Sequence, residues 1–108
     1  MSEFVQVARL SELPPGERKA VWVSGVRVLL VNLGGEIAAV DEQCTHMECS
    51  LLAAPMRENL IICPRHLAAF DLRSGKVLRG PATVDLPTWN VKVEGDAILV
   101  QERPVEMV

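Results

Sequence analysis

The chain has few of the residues that build disulfide frameworks and aromatic cores. Among its 108 residues are three cysteines, two histidines, two tryptophans, two phenylalanines and no tyrosine. An odd number of cysteines does not indicate a disulfide framework, so we expect reduced thiols and a cytoplasmic protein. No apolar run reaches the roughly 18 to 20 residues that cross a bilayer, and the N-terminus has no secretory signal pattern. These absences predict a soluble protein with no membrane partner.

The charge of the chain is mildly acidic. Its net charge is −3 and its pI is about 5.3. Nucleic acid is therefore excluded as an expected partner, because its recognition normally needs a basic face. A protein partner with a basic docking surface is compatible with this charge. The length corresponds to one small domain, and a monomer is the default expectation.

Short runs of Val, Ile and Leu, separated by Gly, Pro, Asn and Asp, predict a small all-β domain with many turns. Ser24-Gly25 is expected to form a tight turn, and Arg73-Ser74-Gly75-Lys76 another turn. Trp22 and Trp89 are expected in the core, since large aromatic side chains are scarce here. The predicted strands cover residues 4–8, 20–24, 26–33, 37–40, 59–63, 89–93 and 97–100.

Both histidines and two of the cysteines lie in two short segments, Cys44-Thr45-His46 and Cys63-Pro64-Arg65-His66, with 16 residues between them. In each segment the spacing lets a thiolate and an imidazole reach one centre. Two mixed pairs suit a [2Fe–2S] cluster in which two histidines replace two cysteines on one iron. Structural zinc also accepts Cys₂His₂, although its usual spacing keeps the cysteines together and the histidines together. The spacing alone leaves both metals open.

The two segments resemble the cluster loops of Rieske-type ferredoxins, and the resemblance extends over nearly the whole chain, including Phe70-Asp71 and Gly80-Pro81-Ala82. It implies an antiparallel β-sandwich or barrel with a small inserted cluster-binding subdomain. The predicted organisation is a single domain, 1–108, with a cluster-binding part at about 42–82 inserted in a β base formed by 1–41 and 83–103. The resemblance also implies one [2Fe–2S] cluster per chain, with the histidine side outermost and residues 80–82 covering it. The implied ligands are Cys44 and Cys63 on one iron, and His46 and His66, through Nδ1, on the other.

Several residues depart from the high-potential members of that family. Cys49 stands at one position of their disulfide, but Arg65 stands at the other, so the bridge cannot form. Ala68 stands where they place a serine, and the chain has no tyrosine. Fewer donors to the cluster sulfurs predict a low reduction potential. Leu67 replaces the usual glycine, as in ferredoxins of some aromatic-ring monooxygenases, and its role is open between docking and packing.

The resemblance implies an electron carrier rather than an enzyme. Such a protein takes one electron from a flavin-dependent reductase and delivers it to a separate terminal oxygenase. We identify no catalytic residues, because both histidines are predicted ligands. The alternatives are a small subunit of a larger redox enzyme, such as assimilatory nitrite reductase, and the structural zinc module.

Overall fold

The computed structural model describes residues 3–43, 50–63, 68–79 and 85–102. Within these ranges the chain forms ten strands and one short 3₁₀ turn at Leu10–Glu12. No helix in this part of the chain is long and apolar enough to cross a membrane. The strands are β1 (Phe4–Arg9), β2 (Arg18–Val23), β3 (Val26–Asn32), β4 (Ile37–Asp41), β5 (Met56–Arg57), β6 (Leu60–Ile62), β7 (Ala69–Asp71), β8 (Val77–Arg79), β9 (Val91–Glu94) and β10 (Ala97–Gln101).

The described strands form three antiparallel sheets. The terminal sheet has the order β1-β10-β9, the central sheet β2-β3-β4 and the loop-bearing sheet β5-β6-β7-β8. Strands β2 and β3 pair without a break up to Val23 and Val26. Ser24 and Gly25, at the tip of this hairpin, both have positive φ, 51° and 80°. A two-residue turn with this backbone matches the right-handed twist of a hairpin, so the predicted tight turn is confirmed.

The central sheet contributes to two separate apolar cores, because successive side chains of a strand point to opposite faces. In β3, Leu29 and Val31 belong to one core, and Val28 and Leu30 to the other. The first core includes Leu51, Ala54, Ile61, Cys63, Ala68, Phe70, Leu72 and Leu86. The second includes Ala8, Leu13, Val21, Val23, Ala39, Trp89, Ile98 and Val100. The central sheet therefore has the terminal sheet on one face and the loop-bearing sheet on the other.

The two tryptophans differ in burial. Trp89 is 7% exposed, and its indole Nε1 donates a 2.7 Å hydrogen bond to Asp41 Oδ1, so its prediction as a core residue is confirmed. Trp22 is 64% exposed, and the same prediction for it is wrong. Val21 and Val23 on either side of it take the buried face of β2. Strand alternation therefore leaves Trp22 on the other face, near the hairpin tip, where the described residues do not cover it.

Candidate metal centre

Of the four predicted ligands, Cys63 lies within the described residues. Cys44, His46 and His66 lie outside them, as do Cys49, Arg65, Leu67 and residues 80–82. Cys63 directly follows β6 and is fully buried. No group of three or more His, Cys, Asp or Glu that could hold a metal occurs in the described ranges. The described residues therefore show the chain segments that lead into and out of the predicted cluster loops, and the contacts that hold these segments in place.

The second predicted loop is closed by the β6–β7 hairpin. Ile62 pairs with Ala69, and one step further Cys63 N–H donates a 2.8 Å hydrogen bond to the carbonyl of Ala68. The two residues that flank 64–67 are therefore fixed to each other. Both end residues are fully buried and share the core with Phe70. A thiolate at such a position requires a compensating positive charge, which metal ligation supplies.

The first predicted loop also has closed ends. Gln43 and Ser50 form an antiparallel bridge, and Leu51 N–H donates a 2.7 Å hydrogen bond to the carbonyl of Glu42. The side chain of Glu42 is buried, and the Ser50 hydroxyl donates to its Oε2. This arrangement holds together the residues that flank 44–49, directly after β4. Sequence reasoning missed Glu42, because an isolated glutamate beside a loop gives no signal of burial.

Arg18 fixes the segment that follows the first loop. Its Nη1 donates hydrogen bonds to the carbonyls of Leu51, at 3.1 Å, and Ala54, at 2.6 Å. Burial lowers the pKa of the Arg18 guanidinium from its ordinary value, as desolvation does for a cation, although an arginine stays protonated in proteins. Arg18 thus connects β2 of the central sheet to the chain between the two predicted cluster loops. The sequence carried no sign of this role.

A third support brings the chain on either side of residues 80–84 together. Leu86 N–H donates a 2.6 Å hydrogen bond to the carbonyl of Gly75, and Val77 N–H donates a 2.9 Å hydrogen bond to Asp85 Oδ1. The turn before β8 is held by Asp71 Oδ1, which accepts from the backbone N–H groups of residues 73 and 74 at 2.8 and 3.2 Å. The predicted turn at Ser74-Gly75-Lys76 is thereby confirmed. The chain segments on either side of 44–49, 64–67 and 80–84 are thus each held together by hydrogen bonds among the described residues.

An all-β domain with a buried cysteine at the closed end of a hairpin, and with its other predicted thiol and imidazole ligands in two short sequence segments, is typical of an iron–sulfur protein of the Rieske class. The sequence model of the Rieske [2Fe–2S] domain matches residues 3–90, and the chain belongs to this family. The protein therefore carries a [2Fe–2S] cluster. Membership of this family thus decides for iron and against the structural zinc site that the spacing had left open. A buried cysteine at a closed hairpin end fits that group, since a Rieske cluster takes thiolate and imidazole ligands from two loops.

Several of the relatives are ferredoxin components of oxygenase systems. The chain is 32% identical over 98 residues to the ferredoxin component of the naphthalene 1,2-dioxygenase system of Pseudomonas aeruginosa, covering 91% of this chain and 94% of the relative. It is also similar to the solved ferredoxin of carbazole 1,9a-dioxygenase from Nocardioides aromaticivorans IC177, with a TM-score of 0.87, 32% identity and coverage of 93% and 98%. A third similar chain occurs in a solved complex of reduced oxygenase and oxidized ferredoxin of carbazole 1,9a-dioxygenase, with a TM-score of 0.85, 28% identity and coverage of 95% and 97%. The predicted fold class is confirmed.

Proposed function

We propose that this protein is a one-electron carrier that accepts electrons from a flavin-dependent reductase and delivers them to a terminal oxygenase. The observation that carries the proposal is the similarity to ferredoxin components along nearly the full length of both chains. The bound cluster supplies the one-electron chemistry, and the polypeptide holds and orients it. The alternative is a small subunit of a larger redox enzyme, such as assimilatory nitrite reductase. Such a subunit has the same cluster but stays bound to one enzyme and does not carry electrons between two separate proteins. We further propose that the carrier is soluble, cytoplasmic and monomeric.

Reconstitution tests this function. The purified protein is mixed with the reductase and the oxygenase encoded near its gene, and product formation is followed with NADH as the electron source. Product is expected to depend on the protein in a saturable way, and the Cys63→Ser variant is expected to give none. Copurification of the wild-type protein in a permanent stoichiometric complex with the large subunit of a redox enzyme, such as assimilatory nitrite reductase, would instead support the subunit alternative.

We propose Cys44 and Cys63 as the ligands of one iron and His46 and His66 as the ligands of the other. Support comes from Cys63, which is buried at a closed hairpin end, and from the closed ends of residues 44–49. We also propose that the cluster-binding part comprises about 42–82, inserted between 1–41 and 83–103. His66→Cys and Cys63→Ser are expected to convert or remove the visible and reduced-state EPR spectra of anaerobically purified protein. Cys49→Ala is the matched control and is expected to leave both spectra unchanged.

We propose a low reduction potential for the cluster, toward the negative end of the roughly −150 to +300 mV range of Rieske centres. Ala68 supports this proposal, because its methyl side chain is fully buried next to the second loop and donates no hydrogen bond. The absence of tyrosine removes a further donor. A cluster with fewer donors to its sulfurs is less stabilised when reduced. Protein-film voltammetry should therefore give a low midpoint, and Ala68→Ser should raise it; a wild-type midpoint above about +150 mV contradicts the proposal.

A further inference from the structure

Trp22 is the most exposed of the large apolar side chains in the described part of the chain. It stands near the tip of the β2–β3 hairpin, whose turn is fixed by its backbone and by a 3.0 Å hydrogen bond from the Ser24 hydroxyl to Glu102 Oε2. A tryptophan held on a fixed hairpin loses little conformational entropy when it binds another surface. Neither core of the fold accounts for it, since Trp22 belongs to neither of them.

Arg27 lies beside Trp22, and these two residues together with Val26 form a surface that we call the Trp22–Arg27 patch. Arg27 pairs with Trp22 across the hairpin, and its guanidinium lies 5.3 Å from the centroid of the indole ring. Among the described residues, Arg27 has no ion pair and its side chain donates no hydrogen bond. Its five N–H groups and the indole N–H of Trp22 can only donate, so the patch presents donors and apolar surface together. Val26, 40% exposed, extends the apolar part.

A groove of about 290 Å³ runs from this patch toward the first predicted cluster loop. It is lined by Trp22, Gly25, Val26, Arg27, Asp41 and Gln43. Gln43 is the residue before Cys44, and it forms the bridge that closes the loop. The one carboxylate in the groove, Asp41, already accepts the indole hydrogen bond of Trp89. The patch is therefore continuous with the segment that leads into the first predicted cluster loop, and the groove holds one cation, Arg27, and one carboxylate, Asp41, neither of which has an ion pair among the described residues.

We propose that the Trp22–Arg27 patch docks the terminal oxygenase, through a carboxylate that the oxygenase presents beside an apolar side chain. When a partner covers the patch, the N–H groups of Arg27 and Trp22 need hydrogen-bond acceptors. A carboxylate accepts two parallel hydrogen bonds from a guanidinium in a bidentate pair. The net charge of −3 attracts a broadly basic partner without fixing its rotation, whereas a local cation such as Arg27, opposite in sign to the protein as a whole, fixes the orientation. Tryptophan and arginine are the residue types that dominate binding energy in small interfaces. The inference rests on the proposed function, and the oxygenase is chosen because a similar ferredoxin occurs in complex with one.

The test measures electron transfer from the pre-reduced protein to the oxygenase by stopped-flow absorbance at low ionic strength. Trp22→Ala and Arg27→Glu are expected to lower the second-order rate constant by about tenfold, because tryptophan and arginine side chains contribute disproportionately to interface energy. Lys92→Glu is the matched control. Lys92 also stacks on an aromatic ring, that of Phe4 at 4.6 Å, and its reversal changes the net charge by the same amount on the terminal sheet. Visible and EPR spectra and the midpoint potential are expected to be unchanged in all three variants.

The outcomes separate the possible explanations. Slower transfer in Trp22→Ala and Arg27→Glu, with Lys92→Glu near wild type, supports the proposal. Equal slowing by Arg27→Glu and Lys92→Glu shows an effect of net charge alone and overturns it. Slower reduction by the reductase with normal transfer to the oxygenase assigns the patch to the reductase and also overturns it. If Trp22→Ala does not fold, the two charge reversals decide. Wild-type protein that has a normal spectrum but does not reduce the oxygenase refutes the proposed function itself.

Discussion

Gly75→Ala tests whether the turn before β8 fixes the chain that follows residues 80–84. Gly75 is buried and has a φ of +75°. A Cβ added there would lie 2.0 Å from the carbonyl oxygen of Leu86 and 2.8 Å from Thr88 Cγ2. Neither distance is possible for a real methyl group, and the nearer atom is backbone. The substitution must therefore push the segment at Leu86 away from the turn.

The cost has two parts that the structure defines. A non-glycine residue in the left-handed region costs about 1–2 kcal/mol. Displacement of Leu86 also breaks its 2.6 Å hydrogen bond to Gly75, and a buried unpaired N–H costs about 1–3 kcal/mol. The sum, about 2–5 kcal/mol, is a large fraction of the 5–15 kcal/mol that stabilises a typical domain. Because the displaced segment adjoins residues 80–84, we expect faster loss of the visible absorbance of the cluster as well.

The measurement is urea unfolding of the holoprotein, followed in parallel by tryptophan fluorescence and by visible absorbance. Gly95→Ala is the matched control, because Gly95 also has a positive φ, +60°, but an added Cβ meets nothing within 4 Å. Gly95→Ala has the cost of a positive φ without the steric collision, and the lower entropy of the unfolded chain offsets part of that cost. We therefore expect Gly95→Ala to lower the free energy of unfolding by about 1 kcal/mol. Equal destabilisation by the two substitutions would refute the close approach of Gly75 to Leu86.

Two further substitutions test contacts that support the site. Arg18→Met removes the donor to the carbonyls of Leu51 and Ala54 and should cost about 2–3 kcal/mol in urea unfolding, with partial recovery in Arg18→Lys; a cost below about 0.5 kcal/mol would show that water replaces the guanidinium. Asn32, 4% exposed, donates through Nδ2 to the carbonyl of Leu13 at 2.8 Å and accepts from the N–H groups of Gly34 and Gly35. Asn32→Asp keeps the acceptors but places a carboxylate oxygen against the Leu13 carbonyl, so about 3 kcal/mol is expected. Asn90→Asp, the same change at an exposed residue, should cost less than about 1 kcal/mol, and similar values for the two asparagines would contradict the buried bond.

The features that the sequence predicted correctly are those determined by local chemistry. Ser24-Gly25 and Ser74-Gly75-Lys76 formed turns because the glycines supply positive φ where the chain reverses. Short runs rich in Val, Ile and Leu formed strands because branched side chains pack well on a pleated surface. The pairing of cysteine with histidine in two segments indicated the family, and membership is confirmed. In each case the signal lies within a few adjacent residues.

Features that depend on distant parts of the chain were not predictable in this way. Arg18 binds a carbonyl 36 residues away, and no local pattern distinguishes it from a surface arginine. The exposure of Trp22 depends on how far the loop-bearing sheet extends over the central sheet. Trp89, Val91 and Val93 alternate with polar residues in the sequence, yet burial declines along them, from 7% exposed at Trp89 to 42% at Val93. Pattern gives the face of a strand, but the extent of the opposing sheet decides whether that face is covered.

The run Val28-Leu29-Leu30-Val31 explains how so small a chain supports the short strands of the loop-bearing sheet. All four side chains are fully buried, although a strand with one wet face would bury only every second one. Continuous burial requires packing layers on both faces, and β3 has them, since its side chains alternate between the two cores. The loop-bearing sheet, with strands of two or three residues, does not need to be stable alone. The loop-bearing sheet packs on one face of the central sheet, and the terminal sheet packs on the opposite face. The surroundings of Cys63 therefore depend on the packing of both faces of β3.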